Sequence, residues 1–437
     1  MLLGKDIQTK IAKFKADKRA FRSFLVLFTA FIFTLPTELL CNVRPIVLSV
    51  DGSLYFPIFK RYSERDFGGQ LPSEPDYKSK SFKQLLSGVQ ESDITIEQTK
   101  NTNSIELDDF EEDSLSLGMD DFEDEATEES SLSLDMDDFE EEINDSTEKT
   151  NPVSTKIDIN NETKSVKPRD YWMFWPPIKY DYKYIPTESK TGVVALAAPY
   201  ETKNYNEETI LSSWEDGHYL GTDDRGRDVL ARLIYGFRIS LIFGLSLAIT
   251  GTIVGCMLGG IQGYFGGWID LIGQRFIEIW GSMPRLYLLI ILSSLLTPSL
   301  FLLFFILNLT AWMGIAAYIR AEFLKSRNLE YVKAAKAMGV SNFEIMRRHI
   351  LPNSLTPVVT FFPFEVTAGI LALVSLDYLN LGVPSPSPSM GELLAQGKNN
   401  LQADWIILPT FLTLTITLSL LTFVGEGVRN AFDPKKN

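Results

Sequence analysis

The sequence reads EYVKAAKAMGVSNFEIMRRHILPN over residues 330–353, a polar, helix-forming stretch set between two apolar runs long enough to cross a membrane. From Glu330 to Met338 one helical pattern is expected, with Ala334, Ala335, Ala337 and Met338 giving it a small, smooth surface. Gly339 fits a helix C-terminal position where φ must be positive. Ser341-Asn342-Phe343-Glu344 reads as a capping box, the serine hydroxyl accepting the N3 amide and the glutamate reaching back. A second short helix is expected to run to about Ile350, with Leu351-Pro352 ending it. Two capped helices at a fixed angle are rigid, and rigidity is what a part needs if force must pass through it.

Working outward, a spanning helix takes roughly 17–25 mostly apolar residues. Six candidates meet this: 24–41, 239–262, 277–296, 300–319, 357–379 and 405–424. The third and fourth form one apolar block broken only by Thr297-Pro298, so a helical hairpin is expected there. The fold class is therefore an all-α membrane protein with six transmembrane helices. Lys and Arg in the short flanks set the orientation. Seven such charges precede the first run, seven more lie in 320–348, and the loop 382–404 has only Lys398. Six spans with both termini in the cytoplasm satisfy this bias. The organisation expected is a cytoplasmic N-terminus (1–23), a first span (24–41), a large external loop (42–236) and a transmembrane core (237–437), with the opening stretch inside a cytoplasmic loop at 320–356. No small-x-small cleavage site follows the first run, which reads as an uncleaved anchor.

Charge is not spread evenly. The chain carries a formal −15, yet residues 101–148 alone hold 21 Asp or Glu and no Lys or Arg, so without that block the charge becomes +6. SLSLGMDDFEDE at Ser114 returns as SLSLDMDDFEEE at Ser131, an acidic 17-residue repeat. High charge with few core-forming residues predicts disorder, and two uses stand open: a solvated insertion, or a tail whose sparse Leu, Met and Phe dock on something basic. The flanks, DGSLYFPIFKRY and YWMFWPPIKYDY, are rich in aromatic residues and read as ordered.

Several chemistries lack support. No G-x-x-x-x-G-K-[ST] loop is present, the nearest run at Gly391 having one residue too many and Asn399 at its end, so the chain does not bind ATP by that route. With two histidines and no Cys-x-x-Cys, neither a metal nor a cofactor site is expected; Asp223, Asp224 and Asp228 lack EF-hand spacing. Cys41 and Cys256 make no disulfide framework. Gly251, Gly255, Gly259 and Gly263 recur every four residues in the second span and form a groove for another helix, either as plain packing or as a moving contact against a partner membrane subunit. Glu365 lies well inside the fifth span, where a charge is a functional candidate by default: it either meets a substrate amine in a translocation path or partners a neighbouring helix. Glu278 and Arg285 lie close to an entry, where snorkelling suffices.

Ala334-Ala335-x-x-x-Gly339, followed after nine residues by His349-Ile350-Leu351-Pro352, resembles the cytoplasmic EAA loop of bacterial ABC importer permeases. Lys333 stands where that motif has Glu, and His349 where it has Ile. GTDDRGRDVLARLIYGFRIS (221–240) looks like the C-type permeases of oligopeptide and dipeptide importers, and RFIEIWGSMP (275–284), SLDYLNLGVPSPSPSMGELLAQGKNNLQADW (375–405) and FVGEGVRNAFDP (423–434) are similar to the Yej-type branch. The resemblance implies a permease subunit, not an enzyme, in the bacterial inner membrane. It implies ATP hydrolysis on a separate ATPase chain, engaged by a coupling helix in which Ala334, Ala335, Gly339, Ser341, Glu344, Leu351 and Pro352 take part. A second permease subunit and an external peptide-binding protein are the further partners implied, with no nucleic acid. The cargo implied is oligopeptide, in some members also the peptide-nucleotide microcin C. Two alternatives stay open at this point: a permease for a small solute such as nickel, and a membrane-tethered scaffold or receptor that uses its acidic loop.

Overall fold

The computed structural model describes residues 2–87, 169–186, 189–190, 192–203 and 209–432, without the side chains of 2–7, 285–286 and 293–294. The acidic repeat and its expected disorder lie outside these residues, as does the Arg285 side chain. Contacts divide the chain into two units, Met1–Lys83 with Asp170–Asn437, and Gln84–Arg169. The first carries the helical bundle and its small sheet.

Two helices open the chain, α1 (Leu2–Ala16) and α2 (Lys18–Thr34), with Asp17 between them accepting the Ala20 N–H at 3.2 Å. A four-residue turn of helix, α3 (Thr37–Leu40), follows Pro36. Lys10 and Arg19 sit over the Phe432 and Phe423 rings, which ties these first helices to the last one. Beyond α3 comes a hairpin of β1 (Val47–Val50) and β2 (Ser53–Tyr55), joined by Asp51-Gly52 with φ of 50° and 79°. Positive φ at both central residues matches the twist of the strands, which is why Asp-Gly serves here. Across the long insertion, β3 (Tyr171–Phe174) returns antiparallel to β1, pairing Ser49 with Trp172 in a sheet of order β2-β1-β3.

The bundle is built from α4 (Val229–Phe265), α5 (Gly267–Gly281), α6 (Arg285–Leu295), α7 (Leu300–Ser326), α8 (Glu330–Ala337), α9 (Asn342–Tyr378), α10 (Met390–Asn399) and α11 (Asp404–Phe432). Among the described residues, α4, α7, α9 and α11 are long and apolar enough to cross a membrane. The other two expected spans are interrupted. The first breaks at Leu35-Pro36, and the third, 277–296, divides into α5 and α6 at Ser282-Met283-Pro284. In each a proline without an N–H closes the helix, which hydropathy does not register.

The Gly251, Gly255, Gly259 and Gly263 stripe faces α7 within the same chain. A Cβ on Gly255 would stand 2.8 Å from the Trp312 carbonyl, and one on Gly263 2.5 Å from that of Arg320. Backbones approach this closely only where side chains are absent. Helix α9 lies on the same pair: Gly369 meets Gly244, while Ile370, Val366 and Val374 join Leu233, Phe237, Met390, Ile406 and Leu414 in the main core.

Candidate functional site

The opening stretch folds as a helix, a turn and a helix. Gly339 has φ +81°, and Val340 N–H bonds back to the Ala335 carbonyl at 3.2 Å. Ser341 Oγ accepts the Glu344 N–H at 3.3 Å. Val332 and Ala335 turn inward onto Ile345, Ile350 and Phe323. Ala334 and Ala337 face outward, and Met338 and Phe343 flank the turn with 76% and 71% of their surface exposed. The result is a small-residue face carrying two large apolar side chains on a braced loop. Lys333 pairs with Glu330 at 3.5 Å, both well exposed.

Two expectations for this stretch are corrected. Glu344 does not reach back to the Ser341 amide; its carboxylate meets Arg348 one turn on, at 3.4 Å, so only half of the capping box forms. An arginine at i+4 offers a charged partner, and the exposed amide has water. Nor do Leu351-Pro352 end the second helix. Residues Ile345–Ile350 widen into a π turn in which Leu351 N–H reaches the Met346 carbonyl, five residues back, and the helix runs on to Tyr378. A π turn makes room for a proline ring that would otherwise strike the carbonyl four residues before it. Ser341, Glu344, Leu351 and Pro352 therefore lie on the first turns of a membrane-length helix.

That helix carries Glu365. Its side chain lines a cavity of about 190 Å³ between α4, α7 and α9, together with Thr252, Thr310 and Gly314. The Thr252 hydroxyl is buried there with no hydrogen-bond partner among the described residues. At the end of α4 near Gly339, Tyr264 donates to Asn342 Oδ1 at 2.8 Å, and Arg320 grips Asp270 with both its Nε and its Nη2. The Arg320 hydrogen bonds hold the Asp270 carboxyl below the usual carboxylate range. Arg327, at the C-cap of α7, also donates to the Gly263 and Tyr264 carbonyls, so the turn at 263–267 is anchored to the end of α7.

At the other end of α4, Asp223, Arg227, Arg232 and Glu392 form a buried ion network that hydropathy and charge counts do not signal. Arg227 and Arg232 are 1% and 0% exposed. Arg227 meets Asp223 at 2.7 Å and Glu392 at 3.2 Å, and Arg232 also binds Glu392. Asp228 caps α4 through the Ala231 N–H at 2.7 Å and holds His218 Nδ1 at 2.8 Å. Asp223 and Asp228 are thus committed to cations and caps. This network is the physical content of GTDDRGRD and SMGELLAQG, and it pins the start of α4 to α10.

Beside it, the Lys78 Nζ lies 3.1 Å from the centre of the Tyr180 ring, whose ring stacks on His218 at 3.9 Å. Burial pushes the Lys78 ammonium down to about 7, against the pull of Asp228 and Asp76.

Residues 251–437 match the family of binding-protein-dependent transport system inner membrane components. The chain is similar to a peptidoglycan transport system permease protein, YejE, of Agrobacterium fabrum, 39% identical over 97% of this chain and 91% of that one. It is similar to the inner membrane ABC transporter permease protein YejE of Escherichia coli, 36% identical over 98% and 97%. An oligopeptide transport system permease protein, OppC, of Haemophilus influenzae is 36% identical over 54% of this chain and 76% of that one. Likeness along nearly the whole length covers the bundle, the turn at Gly339 and the buried network alike. The chain belongs to the binding-protein-dependent transport system inner membrane components, as a YejE-type permease subunit of an ABC importer and not an enzyme.

Proposed function

We propose that this permease is one of two membrane subunits of an ATP-driven importer of oligopeptides, and that the segment 330–350 seats in a separate ATPase chain. Peptide is the chemistry common to peptidoglycan and oligopeptide cargoes, the two carried in the names of its relatives. A peptide-nucleotide such as microcin C belongs to the same class. An external binding protein delivers the peptide, and both termini lie in the cytoplasm beside the ATPase.

The observation that carries this reading is the braced turn at Gly339, which holds Met338 and Phe343 outward on the end of a helix that continues to Glu365. From Phe343 to Glu365 is 22 residues, roughly 33 Å of helix at 1.5 Å per residue. Movement of the ATPase against Phe343 is transmitted along α9 to the cavity around Glu365. Reduced contact of α9 with α4 there opens a path lined by Thr252, Thr310 and Glu365.

The test is reconstitution of the four components in vesicles. Uptake of a labelled tetrapeptide that requires ATP and this chain is the expected result. Uptake of nickel with no uptake of peptide, or failure of the ATPase to co-purify, contradicts it.

A further inference from the structure

At the end of the bundle away from Gly339, a cleft of about 900 Å³ opens beside α3, the first turns of α4 and α7, and the loop after α9. Ligand pockets run to roughly 300–1,000 Å³, so this one is large. Much of the charge in its wall is already matched. Arg238 holds Glu38 through two contacts of 3.0 Å, Arg44 holds Glu74 at 2.5 Å, and Tyr184 donates to Asp76 at 3.0 Å. Asp181 accepts the backbone N–H groups of Lys183 and Tyr184. Two cations remain: the Arg61 and Lys183 side chains line the cleft, are exposed, and have no ion pair among the described residues.

We infer that this cleft receives short peptides with a free C-terminal carboxylate, Arg61 and Lys183 taking the carboxylate. Ammonium and guanidinium groups bind carboxylates through strong charge-assisted hydrogen bonds. The half-buried Tyr182 and Tyr184 rings, which also line the cleft, offer apolar surface to side chains of any sequence. Below, Arg238, Ile239 and Leu300 are shared with an apolar groove of about 640 Å³ along α4 and α7, so a peptide held here stands at the head of the bundle.

This inference rests on the peptide reading above and is tested separately from it. The assembled complex of both permeases and the ATPase, in nanodiscs and without binding protein, is titrated with fluorescently labelled tetra-alanine and with its C-terminal amide. The wild-type complex is expected to bind the free acid at least tenfold more tightly than the amide. Arg61→Ala with Lys183→Ala should bring the two within twofold. No preference in the wild type, or a preference that survives in the double variant, overturns the inference. Uptake of tetra-alanine by the complete importer despite such a result leaves the peptide reading standing and removes only the cleft; absence of that uptake removes both.

Discussion

Gly339 combines φ +81° with open space around the position a Cβ would take, so what it supplies is conformation and not room. Asn visits this left-handed region readily, whereas a β-branched residue does not. Gly339→Val should therefore strain the turn by about 1–3 kcal/mol, enough to shift Met338 and Phe343 while the spanning helices stay folded. The expected outcome in reconstituted vesicles is normal assembly with peptide uptake reduced at least tenfold, and uptake by Gly339→Asn within about threefold of wild type. Equal uptake by both variants would show that the turn is not used. Gly339 and Ser341 were legible in the sequence because each answers a local backbone demand that leaves a residue-type signature. The partner of Glu344 was not, since Arg348 competes for it at no visible cost in the pattern. Arg227 and Arg232 were not legible either: an arginine reads as surface until the carboxylate that neutralises it, Glu392, is brought to it from some 160 residues away.

Elements show the same division. The apolar runs located α4, α7, α9 and α11 because hydropathy counts side chains, and each of these helices holds an 18-residue stretch that is strongly apolar. It could not see backbone hydrogen bonds, so Pro36 and Pro284 broke runs that read as whole, and Pro352 was taken as a stop where a π turn carries the helix past it. The sheet beside the bundle was legible only as aromatic, ordered flanks, because β3 joins β1 across the long insertion. Its neighbourhood holds a measurable titration. Lys78 loses its proton near pH 7 in the folded chain and near 10.5 in the unfolded one. Between those values the unfolded chain binds the extra proton, so stability rises with pH across the window and is flat below it. The melting temperature of the purified protein should climb from pH 7 to pH 9.5, and Lys78→Met should remove part of that climb while raising stability at pH 7. An unchanged slope in the variant would place the titration elsewhere.

On the scale of the whole molecule, the two ends of the bundle are joined by α4 and α9. One end presents the braced turn, and the other gathers α10, the buried ion network and the large cleft, with Glu365 between them. The permease class was legible because the EAA-like spacing and the charge bias of the flanks are local. The cleft was not, because its wall is assembled from segments around residues 38, 77, 183, 238 and 388 that only the fold brings together. The central claim is that the turn at Gly339 touches an ATPase. A photo-reactive phenylalanine analogue at position 343, in cells carrying the complete importer, tests it directly. Illumination should yield one adduct containing this chain and the ATPase subunit, and the same analogue at position 174, on the exposed face of β3, should yield none. An adduct from position 343 to an external protein, or no adduct to the ATPase at normal assembly, would contradict the account.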